Sequence, residues 1–310
     1  MNLFLAAVYT NSYKPGQNRY VKLNEVERSI VENVPHILES YHYVEGQRHV
    51  DQMRADGAKV FLDSGAFSAK SLGVEIDIDA YCNYIKENKD ILRVEDGVVM
   101  ASVLDGIGDP LKTWRNQLYM EHYGAKPLPC FHFGEDERYL EWYVERYPYI
   151  TIGGMVRTKA EDVMQWLDRI WNDYMLDSAG RPKLKVHAFG VTTISLMERY
   201  PWWSVDSSSW IQAAAFGSIY TSKHGPIAVS SKSPSRHDMG RHLSTLTPIE
   251  RAQVDSELAA LGFNYERLSE VYESRAVYNM NGYVELNDIL NQHFDRCNGV
   301  LECHKVQQLF

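Results

Sequence analysis

Apolar runs that stop at an acid, a histidine or a glycine recur along the chain, and amphipathic stretches follow them. Residues 3–8 form the first such run, ahead of a polar turn over 11–18 that holds Pro15 and Gly16. From Leu23 to Tyr41 the apolar positions Val26, Ile30, Val34, Ile37, Leu38 and Tyr41 recur at helical spacing. That spacing predicts a helix which Pro35 kinks or splits. A further helical piece passes through Val50 and Met53 to Gly57. Val60-Phe61-Leu62 is then a short strand that ends abruptly in Asp63-Ser64-Gly65-Ala66 and Phe67. A helix follows near 79–88, capped by Asp77 or Asp79, and residues 98–104 predict a strand ending in Asp105-Gly106. Pro110 opens the next helix behind Asp109 as its N-cap, and Gly124 ends it.

The alternation then continues. Strands are predicted over 127–133, 149–152, 184–189 and 203–205, ending at His132, Gly153-Gly154, Gly190 and Asp206. Helices fill 135–146, 159–174 and the stretch up to Arg199, and 218–220 or 227–229 supplies the last strand. Strands alternating with helices define an α/β protein, and seven or eight of them over about 230 residues fit a (β/α)8 TIM-like barrel. A doubly wound open sheet is the competing architecture, weakened because no glycine-rich dinucleotide fingerprint follows the first strand. The expected division is a catalytic barrel over 1–230 and, over 231–310, a basic loop with a small C-terminal helical appendage packed on the barrel.

The later part of the chain changes in composition. Lys223, Lys232, Arg236, Arg241 and Arg251 face only Asp238 and Glu250, among many Ser, Pro and His residues. Such a segment is a solvated loop, or one that contacts phosphates near a barrel mouth. Thr247-Pro248-Ile249-Glu250 is a capping box for a helix that stops at Gly262, and one or two more helices, through 268–278 and 284–294, complete the appendage.

Composition narrows the classes further. The 310 residues are 45% hydrophobic and carry a formal net charge of -9, which argues against coating nucleic acid by bulk electrostatics but leaves room for a local basic groove. The opening MNLFLAAVYT lacks a basic region and predicts a strand rather than a signal peptide, and no stretch approaches transmembrane length. Cys82, Cys130, Cys297 and Cys303 are too scattered for a disulfide framework, which suits a reducing, cytoplasmic setting. His293, Cys297, Cys303 and His304 contain zinc-binding types at irregular spacing, so no metal or other cofactor is expected.

In a barrel, Asp63, Asp105, His132, Gly153-Gly154, Gly190 and Asp206 would all point into one bowl at the carboxyl ends of the strands. Carboxylates converging there repel one another, and burial raises their pKa values, so that one holds a proton near neutral pH. Two carboxylates with separate roles are what displacement at an anomeric carbon requires. Each residue also has a plain structural reading. Asp63, Ser64 or Asp206 could cap a turn or helix, Asp105-Gly106 could be a turn, and His132, Phe67 and Phe189 could belong to the core.

The run Asp63-Ser64-Gly65-Ala66-Phe67, continuing to Ser71-Leu72, resembles the Asp-Ser-Gly-Gly-(Phe/Tyr)-Gln…Ser-Leu signature of the tRNA-guanine transglycosylases. Further motifs follow in the family's order. Leu104-Asp105 looks like the base-reading aspartate, and Phe131-His132-Phe133-Gly134 with Leu140 is similar to Val-Gln-Gly-Gly…Leu-Arg. Ile152-Gly153-Gly154-Met155 resembles the Gly-Gly-Leu loop, Ala188-Phe189-Gly190-Val191 resembles Leu-Met-Gly-Val, and Val205-Asp206-Ser207 aligns with the nucleophile. The resemblance covers roughly residues 60–217.

It implies a (β/α)8 pentosyltransferase in which Asp206 attacks C1′ of the nucleotide and Asp63 serves as acid and then base. It implies that Asp105 accepts hydrogen bonds from guanine, that Phe67 and Phe189 sandwich the flipped base, and that Ser64, Gly65, His132, Gly153, Gly154 and Met155 complete the base site. The chain departs from the family in lacking the Cys-x-Cys-x-x-Cys zinc motif, in Ala66 for the second Gly of the first motif, in Ser68 for its Gln, and in His132 for Gln. Those departures, and the absence of a long C-terminal RNA-binding domain, bring it nearer the phage and bacterial enzymes that insert 7-deazaguanines into DNA. The expected partners are thus DNA, with tRNA as the alternative, and a free 7-deazaguanine base. Lys223, Lys232, Arg236 and Arg241 are expected on the nucleic-acid backbone. A barrel glycoside hydrolase using Asp63 and Asp206 is the remaining alternative.

Overall fold

Short apolar runs, too brief for helices and buried on both faces, build the strands of the main sheet. In chain order the strands are β1 (Asn2–Ala6), β2 (Ile37–Ser40), β3 (Val60–Asp63), β4 (Val94–Glu95), β5 (Val98–Val99) and β6 (Cys130–His132). They continue as β7 (Tyr149–Gly153), β8 (Lys185–Ala188), β9 (Ser204–Ser207), β10 (Ser218–Thr221) and β11 (Gly225–Ala228). The computed structural model describes residues 1–156, 158–221 and 224–297, the last three of these by backbone alone. Seven strands pair in the order β3-β2-β1-β9-β8-β7-β6. Every pairing is parallel, with Leu5 opposite Ile37 and Phe4 opposite Asp206, and the sheet curls into a half-barrel.

An eighth extended segment lies between the sheet's two edges. Leu62 N donates to Met100 O, and Ser102 N to Leu62 O, at 2.9 Å each. On its other side Val103 N donates to Leu128 O at 2.9 Å, and Leu128 N to Ala101 O at 2.7 Å. The side chains inside the curl pack together: Phe4, Leu38, Phe61, Met100, Leu128 and Tyr149 form one buried cluster. His187 of β8 joins it edge-on to Phe61, with ring centroids 4.5 Å apart.

Three expectations about elements are corrected. The predicted helix over 23–41 ends at Glu32, and 37–40 is the strand β2. Pro35 lacks the amide to continue a helix, and Ile37, Leu38 and Glu39 form a buried run that a helical count absorbs. The strand predicted over 98–104 divides. Val98 and Val99 turn back on β4 through Asp96 and Gly97, both with positive φ (49° and 81°), and only the following residues join β3. Neither 218–220 nor 227–229 supplies a strand to the parallel sheet, because β10 and β11 pair with each other, antiparallel.

Expected caps are present. Asp77 accepts from the amides of Asp79 and Ala80, Asp109 from that of Lys112, and Thr247 and Glu250 form the reciprocal capping box. The one or two further helices expected over 268–278 and 284–294 are Tyr265–Glu270 and one continuous helix, Tyr272–Cys297.

The chain divides into two compact units that do not follow a single boundary at 230. Among the described residues the first takes 1–10, 36–207 and 289–297, and the second takes 11–35 and 208–288. The first therefore holds the parallel sheet. The second has its own core. There Tyr13 packs edge-on to Trp210, and the fully buried Glu27 receives two hydrogen bonds from Arg267, at 2.7 and 2.6 Å. Among the described residues no helix is long and apolar enough to cross a membrane.

Candidate active site

Asp63 is the last residue of β3, and its backbone leaves the sheet at once because Gly65 takes a left-handed conformation (φ 78°) before the helix Ala66–Ser71. Asp63 Oδ2 accepts from the Gly65 amide at 2.9 Å, and Oδ1 accepts from Ser102 Oγ at 3.3 Å. Ser102 Oγ in turn accepts from the amide of the buried Ser64 at 2.9 Å. The turn-capping and catalytic readings of Asp63 thus coexist. One carboxylate oxygen ties the turn and the side chain still faces a cleft. Burial, then the charge of Asp105 and that of Asp206, push the carboxyl up to about 7, against the pull of the Gly65 amide and the Ser102 hydroxyl.

Asp105 follows the segment that pairs with β3 and touches His132. Its Oδ2 is 3.3 Å from His132 Nε2, while its Oδ1 is buried without a hydrogen-bond partner among the described residues. The other imidazole nitrogen, Nδ1, is 3.0 Å from Glu135 Oε1, and the His132 amide donates to Glu135 Oε2 at 3.0 Å. Cys130, two residues earlier on the same face of β6, brings Sγ to 3.5 Å from Nε2. Burial works against a charged His132, but Cys130 and Asp105 beside it prevail and hold the imidazole above its ordinary value. The carboxylate is the neighbour that does this at neutral pH, because burial pushes the Cys130 thiol up to about 11 and keeps it uncharged.

Asp206 sits in β9 beside His187 of β8. Asp206 Oδ1 accepts from the Gly190 amide at 2.9 Å and stands 3.3 Å from His187 Nε2, without the alignment of a full hydrogen bond. His187 is fully buried, and burial lowers its pKa although Asp206 pulls the other way, so the ring is neutral. Behind it Nδ1 meets Ser204 Oγ at 2.7 Å, and Ser204 Oγ meets the Tyr149 hydroxyl at 2.7 Å.

These groups open on one cavity of about 640 Å³. Asp63, Asp105, His132 and Asp206 line it with Phe67, Gly153, Gly154 and Phe189. Phe67 is 58% exposed, so it is no core residue, whereas Phe189 is half-buried against His187 and Phe61. A Cβ on Gly153 would stand 3.0 Å from His132 Cδ2, and one on Gly154 3.1 Å from His132 Cβ, so both glycines leave room for that histidine. Ser64, Gly65 and Met155 are buried but are not among the lining residues.

The remaining expected residues lie elsewhere. Lys232, Arg236 and Arg241 are exposed and belong to the second unit, while the carboxylates belong to the first. Lys223, Cys303 and His304 fall outside the described residues, as does the side chain of Cys297. His293 is buried, with Nε2 3.1 Å from Glu198 O. Sequence reasoning missed Ser102, Cys130, Glu135 and His187 as members of the site. The first, second and fourth are single polar residues inside apolar runs, and Glu135 stands where a helix start was read.

Fold and site together define an α/β protein with a buried acidic cleft at the carboxyl ends of parallel strands. No family model matches the sequence, and no curated protein matches it.

Proposed function

We propose that the protein is a guanine transglycosylase that exchanges guanine in DNA for a 7-deazaguanine base of the preQ0 type, and that its first unit is a (β/α)8 barrel. The hydrogen bonds that tie 100–103 to both sheet edges support the barrel. The observation that carries the activity is the cleft that Asp63, Asp105 and Asp206 share with the rings of Phe67 and Phe189. Its volume is within the range of small-molecule sites, about 300–1,000 Å³.

The chemistry follows from where protons sit. The Asp206 carboxylate, fixed through Oδ1 by the Gly190 amide, attacks C1′ as the bond to guanine N9 breaks. Asp63, protonated, gives its proton to the departing guanine. The carboxylate left behind then takes the N9 proton of the incoming base, whose nitrogen displaces Asp206 from C1′. With a pKa of about 7, Asp63 has both forms available near neutrality, as a group used twice requires. Asp105 accepts from the base edge, and Phe67 offers an exposed face for stacking. A duplex guanine must first be flipped out, at a cost of a few kcal/mol.

The test is incubation with labelled 7-deazaguanine base and either duplex DNA or tRNA. Label is expected in DNA, and Asp206→Asn is expected to abolish its entry. Label in tRNA alone rejects the DNA substrate, and exchange that survives Asp206→Asn rejects the mechanism.

A further inference from the structure

One wall of the cleft carries a donor set that the base-exchange reading does not use as a set. One ligand atom from each of Asp105, Cys130 and His132 lies within 4.8 Å of the other two. Two of the three separations are closer still: Oδ2 to Nε2 is 3.3 Å, and Sγ to Nε2 is 3.5 Å. Ligands at about 2.0–2.3 Å from a tetrahedral zinc stand roughly 3.3–3.6 Å apart, so both edges have the length such an ion sets.

Two further observations point the same way. The Asp105 side chain is only 10% exposed, yet its Oδ1 has no hydrogen-bond partner among the described residues, so the buried carboxylate is not fully satisfied by the protein around it. His132 presents Nε2 to the other two donors because Glu135 holds Nδ1 at 3.0 Å. A carboxylate on the far nitrogen of a histidine is the support that metal-binding imidazoles ordinarily have. Glu135 grips the His132 amide as well, which fixes the ring and backbone together.

We propose that Asp105, Cys130 and His132 form a three-ligand site for a divalent transition metal of the zinc and cobalt class, with Glu135 as its supporting carboxylate. Three protein ligands leave a fourth position, and the cavity that Asp105 and His132 line supplies the access to it. The mixed sulfur, nitrogen and oxygen set disfavours magnesium and calcium, which take oxygen ligands. On binding, Cys130 loses its thiol proton and His132 its Nε2 proton, both to solvent, and the neutral ring keeps its remaining proton on Nδ1 facing Glu135. The site does not rest on the base-exchange reading. Where both hold, metal and base are alternative occupants of Asp105.

The test measures binding, not activity. Purified protein is stripped with chelator, titrated with Co²⁺ and passed through a desalting column. One equivalent is expected to remain, with a thiolate-to-cobalt charge-transfer band in the near ultraviolet and visible bands of tetrahedral intensity. Cys130→Ser is expected to lose the charge-transfer band, and Glu135→Gln to weaken binding about 10–100-fold while keeping it. Thermal unfolding without metal checks that both variants fold. Retention of far less than one equivalent by wild-type protein, or a charge-transfer band that survives Cys130→Ser, overturns the assignment. Neither result bears on base exchange, which the labelling assay decides separately.

Discussion

His187 Nε2 faces Asp206 Oδ1 across 3.3 Å, from one parallel strand to the next. The pair is stacked in depth, since Ser204 and Tyr149 hold the far side of the imidazole. A neutral, fully buried ring cannot serve as an exposed base, but it limits how the Asp206 carboxylate rotates while the Gly190 amide holds the same oxygen. His187 is therefore a positioning residue. In His187→Ala, kcat for base exchange is expected to fall by up to about 100-fold with little change in the KM for free base, because misplacing a nucleophile slows the chemical step. His187→Gln, which can still donate towards Asp206, should recover part of the loss. Equal kcat values in wild type and both variants would reject the role.

Gly65 makes the turn that aims Asp63. A Cβ there would lie 2.3 Å from Ser40 Oγ and 2.6 Å from His42 Cβ, on a backbone whose φ of +78° already disfavours side chains. Gly65→Ala is expected to destabilise the protein by about 2–4 kcal/mol, read from urea unfolding, as left-handed strain and overpacking add. A change below about 0.5 kcal/mol, the scale of neutral surface substitutions, would show that the turn relaxes freely.

Much of the site was legible because strand ends announce themselves. An apolar run that stops at Asp63, Asp105, His132 or Asp206 needs no knowledge of the fold to stand out, and these residues do line one cavity. What was not legible depends on neighbours distant in sequence. Ser102 looks like one more small residue in a strand until β3 brings Asp63 beside it, and His187 is silent until β9 places Asp206 opposite. The fold misled at 37–40, where Ile37 and Leu38 continued a helical period by coincidence and Pro35 was the truer signal. The second unit was not foreseen because 11–35 and 208–288 share no pattern that links them before folding.

The exposed residues Lys232, Arg236 and Arg241 give the nucleic-acid proposal an electrostatic consequence. Each phosphate contact releases counterions, so log affinity for duplex DNA should fall steeply with log salt. Arg236→Ala or Arg241→Ala is expected to reduce that slope by about 0.9. A slope identical to wild type in both variants removes this segment from the interface.

Within the second unit, Glu27 is completely buried and depends on Arg267, which is 29% exposed on its side chain. Burial opposes the Glu27 charge, but the guanidinium and the Asn24 amide outweigh it and hold the carboxyl below its ordinary value. Arg267→Met strands that carboxylate. A loss of about 2–3 kcal/mol is expected, at the low end for broken buried pairs because water reaches the arginine. Glu27→Gln with Arg267→Met should restore part of it, and if the double variant is no better than the single one, the pair is not the cause.

Proton linkage at Asp63 makes the cleft a source of pH-dependent stability. In the unfolded chain this carboxyl titrates at the ordinary 3.8, whereas in the folded protein it titrates at about 7. Below pH ~4 both states hold the proton. As pH rises from there the unfolded chain releases it first, so the folded state is progressively disfavoured until pH passes about 7. Stability from this group is thus present in acid and lost towards neutrality, the reverse of a salt-bridged aspartate. Glu39 adds a loss of the same sign, because burial also raises it to about 7 despite the Thr10 hydroxyl and the Tyr9 and Thr10 amides. Each pH unit within the window corresponds to about 1.4 kcal/mol per group. Urea unfolding of wild-type protein at pH 5 and pH 8 is therefore expected to show a marked loss at the higher pH. Asp63→Asn, which cannot titrate, should reduce that loss by about 2.6 kcal/mol. Equal losses in the two proteins would mean that Asp63 is ionised in the folded state at pH 5, and a group already ionised there could not protonate a departing base.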